Sequence, residues 1–334
     1  MINKMNNIKV SVCISVHNTA KYLPRCLDSV CAQTLDELEI VLVNNGSTDN
    51  SEDIMYEYQK RNINRRIIIV RQEDKGLAQG RQTGINNATG EYIGFLDADD
   101  FIDATMYETM YRTAINENVD IVEVETRRDT KVLSSPFNGK VSAHDVLNAY
   151  FRGASIQPML WLRIYKRELF QKPVLPELYT NNEDNFALPC LLFAAKDVYF
   201  LKKVLHTYST DNENAVMTLI MDNPQNVHKR YVGRMRILYA MPHFENFIKD
   251  KPNKDIIDIF RVYKAKLAAS FILTNFKNVD YDTKVKDIVN AYGLKKETEL
   301  RKYLYKYLPV QLNFYSIVKF LGPRIGHLVS CSRQ

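Results

Sequence analysis

At 334 residues with 46% hydrophobic content, the chain is long enough for two domains, or for one α/β domain with an appendage, and too apolar for a disordered polymer. Its formal charge of +6, from 45 basic and 39 acidic residues, favours an anionic partner (nucleotide, phospholipid surface or nucleic acid) without choosing among them. Scattered cysteines (Cys13, Cys26, Cys31, Cys190, Cys331) without a C-x-x-C pair argue against a disulfide framework or zinc site, and no apolar stretch approaches spanning length, so a cytoplasmic location is expected.

The first third alternates β-branched runs with segments of helical period, which predicts a parallel sheet covered by helices. Strands are expected at Val10 to Val16, Glu39 to Val43, Arg66 to Arg71 and Tyr92 to Leu96. Leu23, Leu27 and Val30 repeat at helical spacing between the first two, and the run Ser51 to Lys60 follows a Ser/Thr/Asp cluster that can cap a helix. Right-handed crossovers bring the carboxyl ends of such strands to one edge, where ligands of these folds sit. Ser15, His17 and Asn18, then Asn44 to Ser47, then Asp97, Asp99 and Asp100 all fall there.

Farther on, a helix is expected near Ala104 to Asn118, a strand near Asp120 to Glu125, a polar connection around Asp129 to Lys140 and a helix running to Ala195. The pattern beyond about Asn212 is helical and rich in Lys, Tyr and Leu. The expected organisation is therefore a domain over 1–215, divided into halves 1–102 and 103–215, followed by a helical region over 216–334.

Gly90-Glu-Tyr-Ile-Gly-Phe-Leu-Asp-Ala-Asp-Asp100 runs a hydrophobic strand into three carboxylates within four positions. Mutual repulsion at that spacing is relieved by a hard divalent cation, Mg²⁺ or Mn²⁺, bridging to phosphate oxygens. Asp99 is the expected direct ligand, with Asp97 on a ribose or on the metal and its water. Asp100 is left to orient the loop or cap the next helix. Capping alone would also explain such residues, but their place at the ligand edge of a βαβ unit favours chemistry.

Val10-Ser-Val-Cys-Ile-Ser-Val-His-Asn18, Ser29-Val-Cys-Ala-Gln-Thr34, Glu39-Ile-Val-Leu-Val-Asn-Asn-Gly-Ser-Thr-Asp49, Gly76 to Gly84 and Thr89 to Asp100, with a weaker echo in Asn182-Glu-Asp-Asn-Phe186, carry a resemblance. The chain resembles glycosyltransferase family 2, the inverting group with the GT-A fold. The resemblance implies a Rossmann-like mixed sheet with helices on both faces. It also implies transfer of a sugar from a nucleotide diphosphate donor, a UDP-sugar, to a hydroxyl of a glycan or lipid-linked saccharide.

Carried over residue by residue, the resemblance implies that Ser15 and His17 contact the base. Asn45 stands where the family usually has an aspartate that accepts the uracil N–H; its carbonyl can still accept, but its NH₂ adds a donor. Arg81 matches the family's helix arginine and is expected on the diphosphate. Gly76, Gly80 and Gly84, four apart, align on one helix face and predict close approach to the sheet. Asp184 is the implied general base, with Glu183 supporting the acceptor or the loop. Both also suit the first turn of a helix. Trp161 reads either as a sugar platform or as core, and neither His206 nor Lys202 can be assigned a role.

After Glu299 no acidic residue remains, while Arg301, Lys302, Lys306, Lys319 and Arg324 interleave with aromatic and aliphatic side chains. This segment reads equally as a peripheral attachment to an anionic membrane and as a helical hairpin packed on protein. Three rivals stand beside the enzyme. A nucleotidyltransferase would need a glycine-rich, lysine-bearing loop after the first strand; a non-catalytic nucleotide-sugar or membrane-surface module would be consistent with Asn45; nucleic-acid binding is disfavoured because the first 210 residues lack a focused basic helix.

Overall fold

The computed structural model describes residues 7–177, 183–212, 240–260 and 263. Ten strands form one mixed sheet in the order β3-β2-β1-β4-β9-β6-β10-β5, with β7 on the side of β6 and β8 on that of β10. Four parallel strands make its first half: β1 (Val10–Val16), β2 (Leu38–Asn45), β3 (Arg66–Gln72) and β4 (Tyr92–Phe95). Antiparallel β9 (Arg163–Lys166) joins β4 to β6 (Ile121–Arg128), which runs parallel to β10 (Asp197–Tyr208). The two-residue β5 (Phe101–Ile102) pairs antiparallel with the far end of β10.

Period-two alternation decides which face each β1 side chain serves. Val10, Val12, Ile14 and Val16 lie in one apolar layer with Leu23, Cys26, Leu27 and Val30 of α1 (Leu23–Cys31), Met55 of α2 (Ser51–Arg61) and Met110 of α4 (Met106–Glu117). Ser11, Cys13 and Ser15 point the other way, Cys13 and Ser15 onto α3 (Gly76–Asn87) and Ser11 onto Glu39 and the Gly90 N–H beyond it. Small residues there meet the glycine face of α3: a Cβ on Gly84 would stand 2.9 Å from that of Cys13, and one on Gly80 would collide with the Ser15 hydroxyl. The four-residue glycine spacing thus serves close helix-to-sheet packing, as the sequence predicts.

The second layer continues through α5 (Ala143–Arg152) and α6 (Asp184–Ala194) into α7 (Met241–Ile248) and the helical stretch 254–260. Phe151 is the junction, with ring centroids 5.3 Å from Phe244 and 5.2 Å from Phe260. The described part of the region expected over 216–334 therefore shares a core with the sheet domain. The rest of that region, including the basic aromatic segment after Glu299, lies outside the described residues. Among the described residues no helix is long and apolar enough to cross a membrane.

The polar connection expected over Asp129 to Lys140 holds two short strands instead, β7 (Lys131–Leu133) and β8 (Gly139–Ser142). Asp129, at φ 54°, opens a two-residue turn that sends β7 back along β6, with Arg128 opposite Lys131. Both are short edge strands with little buried side chain, so they leave no hydrophobic run to read.

Candidate active site

The carboxyl ends of β1, β2 and β4 converge as the alternation requires, and their loops are laced together. Asn18, held at φ 51°, accepts from the Thr48 backbone N–H at 2.8 Å, while its own backbone N–H donates to the Ser47 hydroxyl at 3.2 Å. The exposed His17 ring lies 2.8 Å through Nδ1 from the Asn45 carbonyl, so Nδ1 carries the proton; Nε2 then accepts from the Asn18 amide at 3.3 Å.

The buried Asn45 side chain is spoken for on both ends. Its Oδ1 accepts from Gln72 Nε2 at 2.6 Å and from the Lys75 backbone N–H at 3.3 Å. Its Nδ2 donates to Asp74 Oδ1 at 3.1 Å and to the Gly76 carbonyl at 3.4 Å. An aspartate here would face Asp74 as a like charge, whereas the amide turns that contact into a hydrogen bond. Gly46, at φ 75°, completes the turn, and a Cβ there would run into the Asp74 backbone nitrogen.

After β4 the three aspartates part company. Asp97 accepts from Arg81 through Oδ1 at 2.6 Å and keeps 29% of its side-chain exposure. Asp99 accepts from Asn212 Nδ2 at 2.7 Å; burial, then the charge of Asp97, raises its carboxyl above the ordinary carboxylate range. Asp100 is sealed and takes the Ser209 backbone N–H at 2.7 Å, so it orients a loop, while Asp103 accepts the Thr105 N–H at 2.8 Å in the turn ahead of α4. Burial pushes Asp100 well up and the His206 imidazole, 3.5 Å away, down to about 3.

The chain after β10 closes over this loop. Arg25 of α1 donates to the Asp99 carbonyl at 2.9 Å and pairs with Asp211 at 2.8 Å, and that hydrogen-bonded pair draws Asp211 down to about 2. Sequence patterning offered no sign of Arg25, Ser209 or Asn212, because these contacts join residues 74 to 186 positions apart. The S-T-D-N run at 209–212 was the available hint, being rich in side chains that bond backbone.

The acidic pair arrives from the other half. Glu183 precedes α6 and Asp184 opens it, and both ion-pair with Arg81: Asp184 at 2.8 Å and Glu183 closer still. Asp184 Oδ1 also accepts the Leu160 backbone N–H at 3.2 Å. Burial raises both carboxyls against the pull of Arg81, Glu183 to about 8. Arg81 itself is held more firmly protonated, since its three acidic partners outweigh the cost of its burial. Trp161 is core: its ring is buried and lies flat on His206, centroids 4.1 Å apart. Lys202 donates to the Ser134 hydroxyl at 2.5 Å, on the β6–β7 side of the sheet.

Among the described residues no group of three or more His, Cys, Asp or Glu side chains could hold a metal alone. Asp97 and Asp99 nonetheless fit a hard cation of the kind that takes one or two carboxylates and completes its shell from substrate phosphates and water. Burial is the main cause of the raised Asp99 carboxyl, and the charge of Asp97 adds to it; that added repulsion is what such an ion would relieve.

Residues 11–170 match the family model Glycosyl transferase family 2. The chain is 31% identical over 215 residues to Glycosyltransferase GlyA of Streptococcus pneumoniae, an alignment covering 60% of this chain and 30% of GlyA. It spans 61% or less of the length of several further curated relatives. The fold is similar to that of S. aureus TarS 1–349 in complex with UDP-GlcNAc, with TM-score 0.56 and 17% identity over 89% of this chain and 91% of that one. It is also similar to the mannosyltransferase PcManGT from Pyrobaculum calidifontis in complex with GDP-Man and Mn²⁺, with TM-score 0.52 and 16% identity over 95% of this chain and 85% of that one. At such identities the likeness shows the fold, the GT-A type of mixed sheet.

Proposed function

From the match of residues 11–170 to the glycosyl transferase family 2 model, we propose that the chain is an inverting, metal-dependent glycosyltransferase of that family. In this reading it moves a sugar from a UDP-sugar to a hydroxyl of a glycan or lipid-linked saccharide. The observation that carries the reading is the meeting, at one sheet edge, of a donor-side carboxylate, Asp97, and an acceptor-side carboxylate, Asp184, on the same guanidinium.

Ser15, His17 and the loop fixed by Asn45 lie at the ends of β1 and β2 and would receive the base. The Nδ1–H tautomer leaves the His17 ring flat and exposed over that loop, where a planar base can stack. Asp97 and Asp99 would hold Mn²⁺ or Mg²⁺, whose chemistry there is to neutralise the pyrophosphate as it departs. PcManGT, a neighbour in fold, binds Mn²⁺ with its GDP-Man, and this supports the assignment.

Asp184 would take the acceptor hydroxyl's proton as that oxygen attacks the anomeric carbon from the face opposite the pyrophosphate. A single displacement inverts the centre and needs no covalent intermediate. Between the two acids, access decides the role: Asp184 keeps 19% of its side-chain exposure and Glu183 only 2%. A lipid-linked acceptor would give the C-terminal basic segment a membrane-surface role, with the enzyme peripheral on the cytoplasmic face.

The test is a thermal-shift panel of nucleotide sugars on the full chain, with Mn²⁺ and with excess chelator. A UDP-sugar is expected to raise Tm only with the metal, and Asp99→Ala to remove the shift while the fold persists. No shift with any nucleotide sugar would sink the enzymatic reading and leave only the membrane-surface module.

A further inference from the structure

We propose that Arg81 is a positioning residue that sets the acceptor-side base in register with the donor-side carboxylate, an inference that rests on the transferase reading above. An arginine that binds a ligand at the mouth of a sheet presents its nitrogens to the opening. Arg81 does the reverse, for its side chain is 3% exposed and both terminal nitrogens lie on carboxylates of this chain. One nitrogen holds Asp97 at 2.6 Å, 16 positions away in sequence; the other holds Glu183 and, at 2.8 Å, Asp184, 103 positions away. The guanidinium carbon lies 5.8 Å from the centre of the buried Phe95 ring, which backs it.

The consequence falls on one atom. Asp184 Oδ1 is held twice, by Arg81 and by the Leu160 N–H, so the carboxylate is fixed in orientation and Oδ2 is the oxygen left to accept a proton. Asp97, bound to the same fork, ties that orientation to the strand end that would carry the cation and donor. A misplacement of about 1 Å between reacting groups costs on the order of 100-fold in rate, so such a rigid coupling has catalytic weight without touching the substrate. Lysine, a point charge on a flexible stem, cannot hold two carboxylates at a set angle.

The experiment compares wild type, Arg81→Lys, Asp184→Asn and the double variant as full chains. It measures Mn²⁺-dependent UDP binding by calorimetry, UDP release from a panel of UDP-sugars, and Tm. Arg81→Lys is expected to leave the UDP Kd within about 3-fold while kcat falls at least ~10-fold, as loss of part of a general-base effect requires. In the Asp184→Asn background it should change kcat by less than ~2-fold, because two members of one unit are not additive. Should Arg81→Lys unfold, Arg81→Gln/Glu183→Gln replaces the buried cation and its most buried carboxyl partner by neutral amides and should show the same split.

A UDP Kd raised in step with the loss of turnover would make Arg81 a diphosphate ligand and overturn the proposal. Losses that multiply in the double variant would overturn it too. In both cases wild-type turnover stays intact, whereas a wild-type chain that neither binds UDP with Mn²⁺ nor releases it would bring down the transferase reading and this role with it.

Discussion

Replacing Glu183 by glutamine fixes in one form a group that the fold otherwise lets titrate. Three carboxyls face one guanidinium, and a single cation cannot neutralise all of them, so the most desolvated holds a proton. Burial raises Glu183 to about 8 despite the opposing charge of Arg81, with the Asp184 carboxylate adding to the rise. Because the folded value lies above the ordinary 4.5, the contribution to stability is fully present below 4.5 and is lost as pH climbs through about 8.

Each pH unit in that interval is worth about 1.4 kcal/mol, which sets a ceiling of about 5 kcal/mol. Asp184 shares the same proton balance, so the expected difference is on the order of 2 kcal/mol, or several degrees in Tm. The assay is differential scanning calorimetry of metal-free wild type and Glu183→Gln from about pH 5 to about pH 9 at constant ionic strength. Wild type should lose stability across the range, and the variant should lose less. Parallel curves would refute the idea that Glu183 holds a proton in the folded chain.

Two further outcomes follow from the same geometry. Asp184→Asn should retain Mn²⁺-dependent UDP binding and lower transfer by about 10²- to 10⁴-fold, the usual worth of a general base; undiminished turnover would remove it from that role. Gly84→Val should lower stability by about 1–3 kcal/mol in denaturant titration, since β1 is fixed between β2 and β4 and α3 must lift away. An unchanged midpoint would mean that α3 rides more loosely on the sheet than its glycines suggest.

The first half of the sheet was legible because its parallel strands, buried in β1, β2 and β4 and half-buried in β3, read as apolar runs rich in β-branched residues: the expected Val10 to Val16 coincides with β1, and the other three agree within two residues at either end. β5, β7, β8 and β9 are two to four residues long, and the exposed ones leave no apolar run to register in a window. Motif spacing placed polar residue types at the sheet edge but could not say where a side chain points. Arg81 shows the difference, because its match to a motif suggests an outward donor, while its partners lie 16 to 103 positions away and become neighbours only after folding. Asn45 shows it again: its amide looked available for a base and is spent on Gln72, Asp74, Lys75 and Gly76.

The most direct measurement is a crystal of the full chain grown or soaked with MnCl₂ and UDP, with diffraction recorded at the manganese absorption edge. An anomalous peak is expected within coordination distance of the Asp99 carboxylate and beside Asp97, next to the pyrophosphate, with the uracil over His17. A manganese peak elsewhere, or UDP bound with the Asp97 to Asp99 loop untouched, would contradict that placement.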